Sequence, residues 1–368
     1  MVARRPGAPL PLTVLTGFLG AGKTSLLNRL LGDPALADTA VLINEFGEIA
    51  LDHLLVRTIG DNIVVLAGGC LCCTVRGDLV EALEGLLRDL DNGRIGFRRL
   101  IIETTGLADP APVLHTVMLH PYLVMRLRLD GIVTVVDAVN GPDTLDRHPA
   151  AVKQIAVADR IVLSKSDLLE TPARRAGMPR LLARLRDLNP SAPILDAASN
   201  EASAARLLDC GLYDPDRKSP DVRGWLAEEA VTAVKHHGPA RHDDRIRTFA
   251  LATEVAIPTS AFDMFLDLLR SLHGPGLLRL KGVVKLAETP DAPLVIHGVQ
   301  HVLHPPTRLA AWPDADRRSR LVFIVRDIEP RRIHELFDAF FGVAAPDRAD
   351  RSAVTENPLV PFGGADHR

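Results

Sequence analysis

Gly17-Phe18-Leu19-Gly20-Ala21-Gly22-Lys23-Thr24 is the stretch whose reading decides the fold. It has the spacing G-x-x-x-x-G-K-[ST] of a phosphate-binding loop. Leu12-Thr-Val-Leu-Thr16 before it is apolar and β-branched, as a buried strand should be. Ser25-Leu-Leu-Asn-Arg-Leu-Leu31 after it places Leu26, Leu27, Leu30 and Leu31 on one helical face. Strand, glycine turn and helix are the context this motif needs. The glycines let backbone N–H groups turn inward around phosphate oxygens, and the helix N-terminus adds partial positive charge. Gly17, Gly20, Ala21, Gly22 and Ser25 then form the cradle. Lys23 reaches the β- and γ-phosphates, and the Thr24 hydroxyl ligates Mg²⁺.

Outward from this loop, as far as about Asn200, short apolar runs alternate with helical patterns. The runs are Thr39–Asn44, Ile63–Leu66, Arg98–Glu103, Gly131–Asp137 and Arg160–Ser164, and Gly77–Asp91 has helical spacing. Continuous apolar strands separated by helices predict an α/β domain, a mainly parallel sheet flanked by helices. The composition turns polar over residues 201–245, read as a partly mobile linker. A second unit over 246–345 follows the order β-α-β-β-β-α: strand Arg247–Glu254, helix Ser260–Leu272, strands Leu277–Leu286, Leu294–Leu303 and Arg320–Asp327, helix Arg331–Phe341. That order predicts a smaller α+β domain with its helices on one face of a sheet. The tail, 346–368, reads as disordered.

The bulk numbers exclude several classes. The 368 residues carry a formal net charge of −3, so nothing in the overall charge calls for a nucleic-acid partner. No run is long and apolar enough to span a bilayer. Three of the four cysteines sit in one cluster, which is not a disulfide framework and points to a reducing cytoplasm.

Three further motifs carry chemistry. Glu103-Thr-Thr-Gly106 follows a buried strand; an acid there holds Mg²⁺ through water, and the glycine N–H senses the γ-phosphate. Ser164-Lys165-Ser166-Asp167 resembles the guanine-reading N-K-x-D pattern. Asp167 would accept from the ring N–H and exocyclic amine, and Lys165 would lay its stem along the base. Ser164 stands where asparagine is usual; it keeps one hydrogen bond, but the amide bridge to the phosphate loop is expected to be lost and base selectivity to weaken. Gly69-Cys70-Leu71-Cys72-Cys73 is a soft-ligand cluster suited to Zn²⁺, Cu(I) or a related ion. Two thiolates plus ligands from elsewhere make a better site than three adjacent ones, and Glu48 is a candidate partner. Arg76 and the following helix N-terminus would lower the thiol pKa values. Buried structural cysteines and a redox pair are the other readings.

GFLGAGKT, NEFGE, GGCLCCTVRGDL, ETTGLADP and SKSD, in this order and spacing, resemble the CobW-like GTPases, a group of metal-handling phosphate-loop proteins. Over the second unit Arg279–Lys285, Ile296–His301 and Ser319–Asp327 resemble that family's C-terminal domain. The resemblance implies GTP hydrolysis coupled to delivery of a transition metal, zinc first and cobalt second, to a client metalloprotein. It implies roles for Lys23 and Thr24 at the phosphates and Mg²⁺, Glu103 and Gly106 in the sensor, and Lys165 and Asp167 at the base. Cys70, Cys72 and Cys73 become the metal motif, Cys72 foremost, with Glu48 beside it. Ile43 stands where some relatives carry an acidic ligand. The linker holds only His236, His237 and His242 of what is a histidine-rich stretch in many relatives. His297 and His301 are read as sharing a strand face, with His304 on the other, all structural. An accessory role in cobalamin or nitrile hydratase assembly, a GTP-linked metal sensor or store, and a small-molecule kinase are the alternatives. Oligomeric state is open.

Overall fold

The computed structural model describes residues 9–45, 63–67, 75–199, 201–208, 245–300 and 302–341. The first domain is built on strands β1 (Leu10–Gly17), β2 (Thr39–Glu45), β3 (Ile63–Ala67), β4 (Arg99–Thr104), β5 (Leu127–Asp137), β6 (Arg160–Ser164) and β7 (Ile194–Asp196). They pair in the order β3-β2-β4-β1-β5-β6-β7, every neighbour parallel. The helices are α1 (Lys23–Leu31), α2 (Val75–Asp91), α3 (Ala111–Leu119), α4 (Pro121–Arg126), α5 (Gly141–Arg147), α6 (Pro149–Ala156), α7 (Pro172–Arg175), α8 (Met178–Leu188) and α9 (Ala204–Leu207).

Strand alternation explains the two-faced core. Val41, Ile43 and Ile101 pack with Leu26, Leu27 and Leu30 of α1. Their neighbours Leu42, Leu100 and Ile102 pack with Leu79, Leu83 and Leu87 of α2 and Leu114 of α3. A strand apolar at every position is what a sheet covered on both faces requires.

Residues 201–208, read from composition as the start of a linker, belong to this core. Ala202, Ala204, Leu207 and Leu208 are buried with α1. Arg29 of α1 donates to Ala197 O and to Ala202 O, the latter at 2.9 Å. Apolar residues at helical spacing outweigh the polar average around them.

The second domain has strands β8 (Ile246–Thr253), β9 (Leu277–Leu286), β10 (Thr289–Val299), β11 (Val302–Leu303), β12 (Thr307–Arg308) and β13 (Ser319–Arg326), with helices α10 (Thr259–His273) and α11 (Pro330–Phe341). Its sheet is antiparallel, in the order β11-β10-β9-β13-β8, and β12 also pairs with β10. Phe262, Phe265 and Leu269 of α10 pack with Ile333, Phe337 and Phe341 of α11 over one face.

The predicted strand Leu294–Leu303 is two strands. The chain reverses at Gln300, whose φ is +54°, so that Val299 pairs with Val302 and Gly298 with Leu303. Counting alternate residues across that turn separates His297 from His304. In the fold both are buried, and His304 N donates to His297 O at 2.9 Å. His301 lies outside the described residues.

The other face of the second sheet rests on the first domain. Leu278, Val299 and Ile324 join Ala156 and Val157 in one hydrophobic cluster. Arg279 and Lys281, two apart on β9, meet Asp159, which follows α6. Arg279 donates to Asp159 Oδ1 and to Val157 O at 2.5 Å, and Lys281 Nζ lies 3.4 Å from the same carboxylate. Burial raises the Asp159 pKa, but Arg279 and Lys281 outweigh it and hold the carboxyl at about 2. Among the described residues no helix is long and apolar enough to cross a membrane.

Candidate functional site

Because all seven strands of the first sheet are parallel, their C-terminal ends lie along one edge. Gly17, Glu45, Ala67, Thr104, Asp137, Ser164 and Asp196 close the strands there, and the chemical motifs leave from that edge.

The phosphate loop joins β1 to α1. Gly22 is the helix N-cap at φ +91°, a conformation that glycine takes without steric cost, and Lys23 is the first residue of the helix. The Lys23 ammonium folds back along the loop to Phe18 O at 3.4 Å. Thr24 Oγ1 donates to Glu103 Oε1 at 3.0 Å. Residues 79 apart in sequence thus bring two side-chain oxygens together at the loop. Ser25 is exposed in the same turn.

Gly106 explains how the sensor loop reaches the phosphate loop. A Cβ added there would stand 2.5 Å from Leu19 N, so only glycine lets the two backbones approach this closely. Gln154 of α6, almost fully buried, donates to Gly106 O at 3.2 Å and Ala108 O at 2.9 Å. Nothing in the sequence motifs singled out Gln154. Its signal was a lone amide on the apolar face of a helix otherwise buried through Ala151, Val152 and Ile155.

Ser164 does not lose the bridge to the phosphate loop. Its hydroxyl donates to Ala21 O at 2.5 Å, so a side chain shorter than asparagine spans the gap from β6. Lys165 makes a second bridge. Held at φ +58°, it donates to Gly20 O at 2.7 Å and pairs with Asp137 Oδ2 at 2.7 Å. Burial raises the Asp137 pKa, yet hydrogen bonds from Lys165, Asn140 and Val139 outweigh it and leave the carboxyl below its ordinary range. Asp137 went unnoticed in the sequence, where it reads as the end of a strand. Asp167 is exposed in the short turn Ser166–Leu168, free of the sheet and open to solvent. Ser166 Oγ donates to Asp196 Oδ1 at 2.5 Å, which joins this turn to the loop after β7.

A cavity of 130 Å³ lies between the tip of the phosphate loop and helices α5 and α6, lined by Phe18, Leu19, Asp137, Gln154 and Lys165. Pockets that hold drug-sized ligands occupy about 300–1,000 Å³.

Glu48, Cys70, Cys72 and Cys73 lie outside the described residues, as do His236, His237 and His242 and the tail after Phe341. The strands that lead into the first group are described. Glu45 pairs with Ala67, and Asn44 with Thr104. Glu48 and Cys70 each follow three residues after one of these paired strand ends. Among the described residues no group of three or more His, Cys, Asp or Glu side chains could hold a metal ion elsewhere.

Comparison with known proteins agrees with this geometry. Residues 11–196 match the family model for the CobW/HypB/UreG nucleotide-binding domain, and residues 246–341 match that for the cobalamin synthesis protein cobW C-terminal domain. The zinc chaperone YjiA of Escherichia coli (strain K12) is 33% identical over 332 residues, covering 89% of this chain and 98% of that one. The zinc-regulated GTPase metalloprotein activator 1 of Schizosaccharomyces pombe is 42% identical over 172 residues, 45% of this chain and 41% of that one. The crystal structure of Zn(II)-bound YjiA GTPase from E. coli superposes with a TM-score of 0.67 at 27% identity, covering 91% of this chain and 99% of that one.

Proposed function

The chain belongs to the CobW/HypB/UreG family, and from that premise we propose that it is a GTP-hydrolysing metallochaperone that carries zinc, with cobalt as second cargo, to a client metalloprotein. One observation carries the coupling of nucleotide to metal. Asn44 is paired with Thr104 at the head of the sensor loop, and Glu45 with Ala67 at the head of the cysteine segment. Three adjacent strands thus lead to the nucleotide sensor, the Glu48 segment and the thiols.

Lys23 and the helix α1 N-terminus neutralise the phosphates. The Thr24 hydroxyl would ligate Mg²⁺, and the Glu103 carboxylate 3.0 Å from it would hold the ion through water, hard oxygens that fit this metal. When bound, Mg²⁺ offsets charge on the β- and γ-phosphates. Gly106 offers its N–H where the γ-phosphate ends, and Ser164 and Lys165 hold the loop in register with the base reader Asp167. Glu48 with Cys72, assisted by Cys70 and Cys73, takes the cargo metal. Thiolate ligands suit zinc. Loss of the γ-phosphate frees the sensor loop, and the strands beside it pass the change to the cargo site. Each ligand then biases the other by a shared coupling energy.

The test is zinc and cobalt affinity by competition with a chromophoric chelator in reducing buffer, with Mg²⁺–GTP analogue, with Mg²⁺–GDP and without nucleotide. The GTP analogue is expected to tighten zinc binding by roughly 5–150-fold, the range of common coupling energies. Cys72→Ala removes that effect while nucleotide binding stays, and Lys23→Ala removes nucleotide binding while some zinc affinity stays. Equal zinc affinity in all three nucleotide states would sink the coupling.

A further inference from the structure

Helix α6 is the element that touches the phosphate loop, the sensor loop and the second domain together. His148, at its head, stacks on Phe18 of the phosphate loop with ring centroids 4.4 Å apart. Thr134 Oγ1 donates to Gln154 O at 2.8 Å, which pins the helix to β5. The Gln154 amide holds the carbonyls of Gly106 and Ala108. One residue earlier, Lys153 Nζ lies 3.4 Å from Asp109 Oδ2. Gln300 Nε2, from the β10–β11 turn, meets that same oxygen at 3.4 Å. Past the helix, Arg279 grips Val157 O and Asp159.

We infer that Gln154 is a positioning residue for nucleotide hydrolysis, and that the contact of Gln300 with Asp109 is where the second domain bears on the sensor loop. The inference rests on the reading of the site as a GTP-hydrolysing one. A backbone N–H stabilises transferring charge only if its direction is fixed beforehand. The direction of the N–H groups around Gly106 is set by the peptide planes of the loop. Gln154 holds the Gly106–Leu107 and Ala108–Asp109 planes through their carbonyls, which fixes the Leu107 and Asp109 N–H groups and the course of the chain leaving Gly106, without touching the phosphate loop's own donors. An amide suits the task because both acceptors are carbonyl oxygens, so the NH₂ must face them. A carboxylate there would meet two carbonyls with no proton to give. Because Gln154 orders the loop rather than holding substrate, it acts on turnover and leaves ground-state binding alone.

The experiment is steady-state GTP hydrolysis, with GDP affinity measured alongside, on the full chain and on Gln154→Met and Gln154→Glu. Gln154→Met removes both amide hydrogen bonds to the loop, lowers kcat about tenfold, and leaves KM and GDP affinity within about twofold. Gln154→Glu lowers kcat at least as far. Hydrogen–deuterium exchange supplies a readout apart from activity. In the wild type, GTP analogue changes protection over residues 104–110 and over 296–303. In Gln300→Gly the first change persists and the second is lost; glycine also accepts the positive φ at that position. Should Gln154→Met fail to fold, Gln300→Gly decides the matter: an undiminished response over 296–303 overturns the link to the second domain. Wild-type turnover with an unchanged kcat in Gln154→Met overturns this inference alone. Absence of turnover in the wild type overturns it together with the proposed function.

Discussion

Ser164 shows how one side chain can keep a role that its identity seems to forfeit. Read as a sequence, serine in place of asparagine meant a lost bridge. In the fold, β6 brings its hydroxyl to 2.5 Å from Ala21 O, while Lys165 ties down Gly20 O beside it. Ser164→Ala removes one buried hydrogen bond, and nucleotide affinity is expected to fall about 5- to 10-fold, for a net bond energy near 1 kcal/mol. Titration with a fluorescent GDP analogue measures it, and an affinity equal to wild type would show that Lys165 alone holds the loop. Lys23, Thr24 and Glu103 were legible from spacing, because phosphate chemistry permits few arrangements around a helix N-terminus. Gln154 and Asp137 were not legible. Gln154 works through the carbonyls of Gly106 and Ala108, nearly fifty residues away, and Asp137 through the Lys165 side chain, pairings that leave no local pattern.

Elements were read most accurately where one period ran unbroken. Strands β1 to β6 and helices α2, α10 and α11 fall where the spacing of apolar residues put them, whereas the three-residue β7 was too short to show a period. The reading failed at Gln300, where the chain reverses, splits one apolar run into β10 and β11 and brings His304 beside His297. That turn has a consequence in solution. Burial holds the His304 pKa at about 4, against 6.5 for a free imidazole, and burial lowers His297 in the same direction. A lowered folded pKa means that the unfolded chain takes up protons first as the pH falls below about 6.5. Stability is therefore present above that value and is lost toward pH 4. From pH 7.5 to 5 the His304 share is about 2 kcal/mol. Urea unfolding at the two pH values measures the loss, and His304→Gln is expected to reduce the difference between them. An identical difference in the variant would place the pH dependence elsewhere.

At the scale of the whole molecule, the two domains share one core and one charge cluster. Ala156 and Val157 pack with Leu278, Val299 and Ile324, and Asp159 is the common counter-ion of Arg279 and Lys281. Asp159→Asn removes the negative charge that Arg279 and Lys281 share. Removal of one member of a buried pair costs about 3–5 kcal/mol. Calorimetry of the wild type is expected to show one cooperative transition, and that of Asp159→Asn a transition at lower temperature. Two well-separated transitions in the wild type would mean that the shared core does not couple the domains. The division into two units was plain from composition, but the joint between them was not. Its clue was Arg279-Leu-Lys281, two cations at strand period inside an apolar run, which Asp159 of the first domain meets. The joint also sets an order of events during biosynthesis. Arg279 leaves the ribosome 120 residues after Asp159, and at about 5–20 residues per second that is a delay of roughly 6–24 s. For that interval the nascent first domain keeps Asp159 hydrated and the Val157 patch bare, until the second half arrives to cover both.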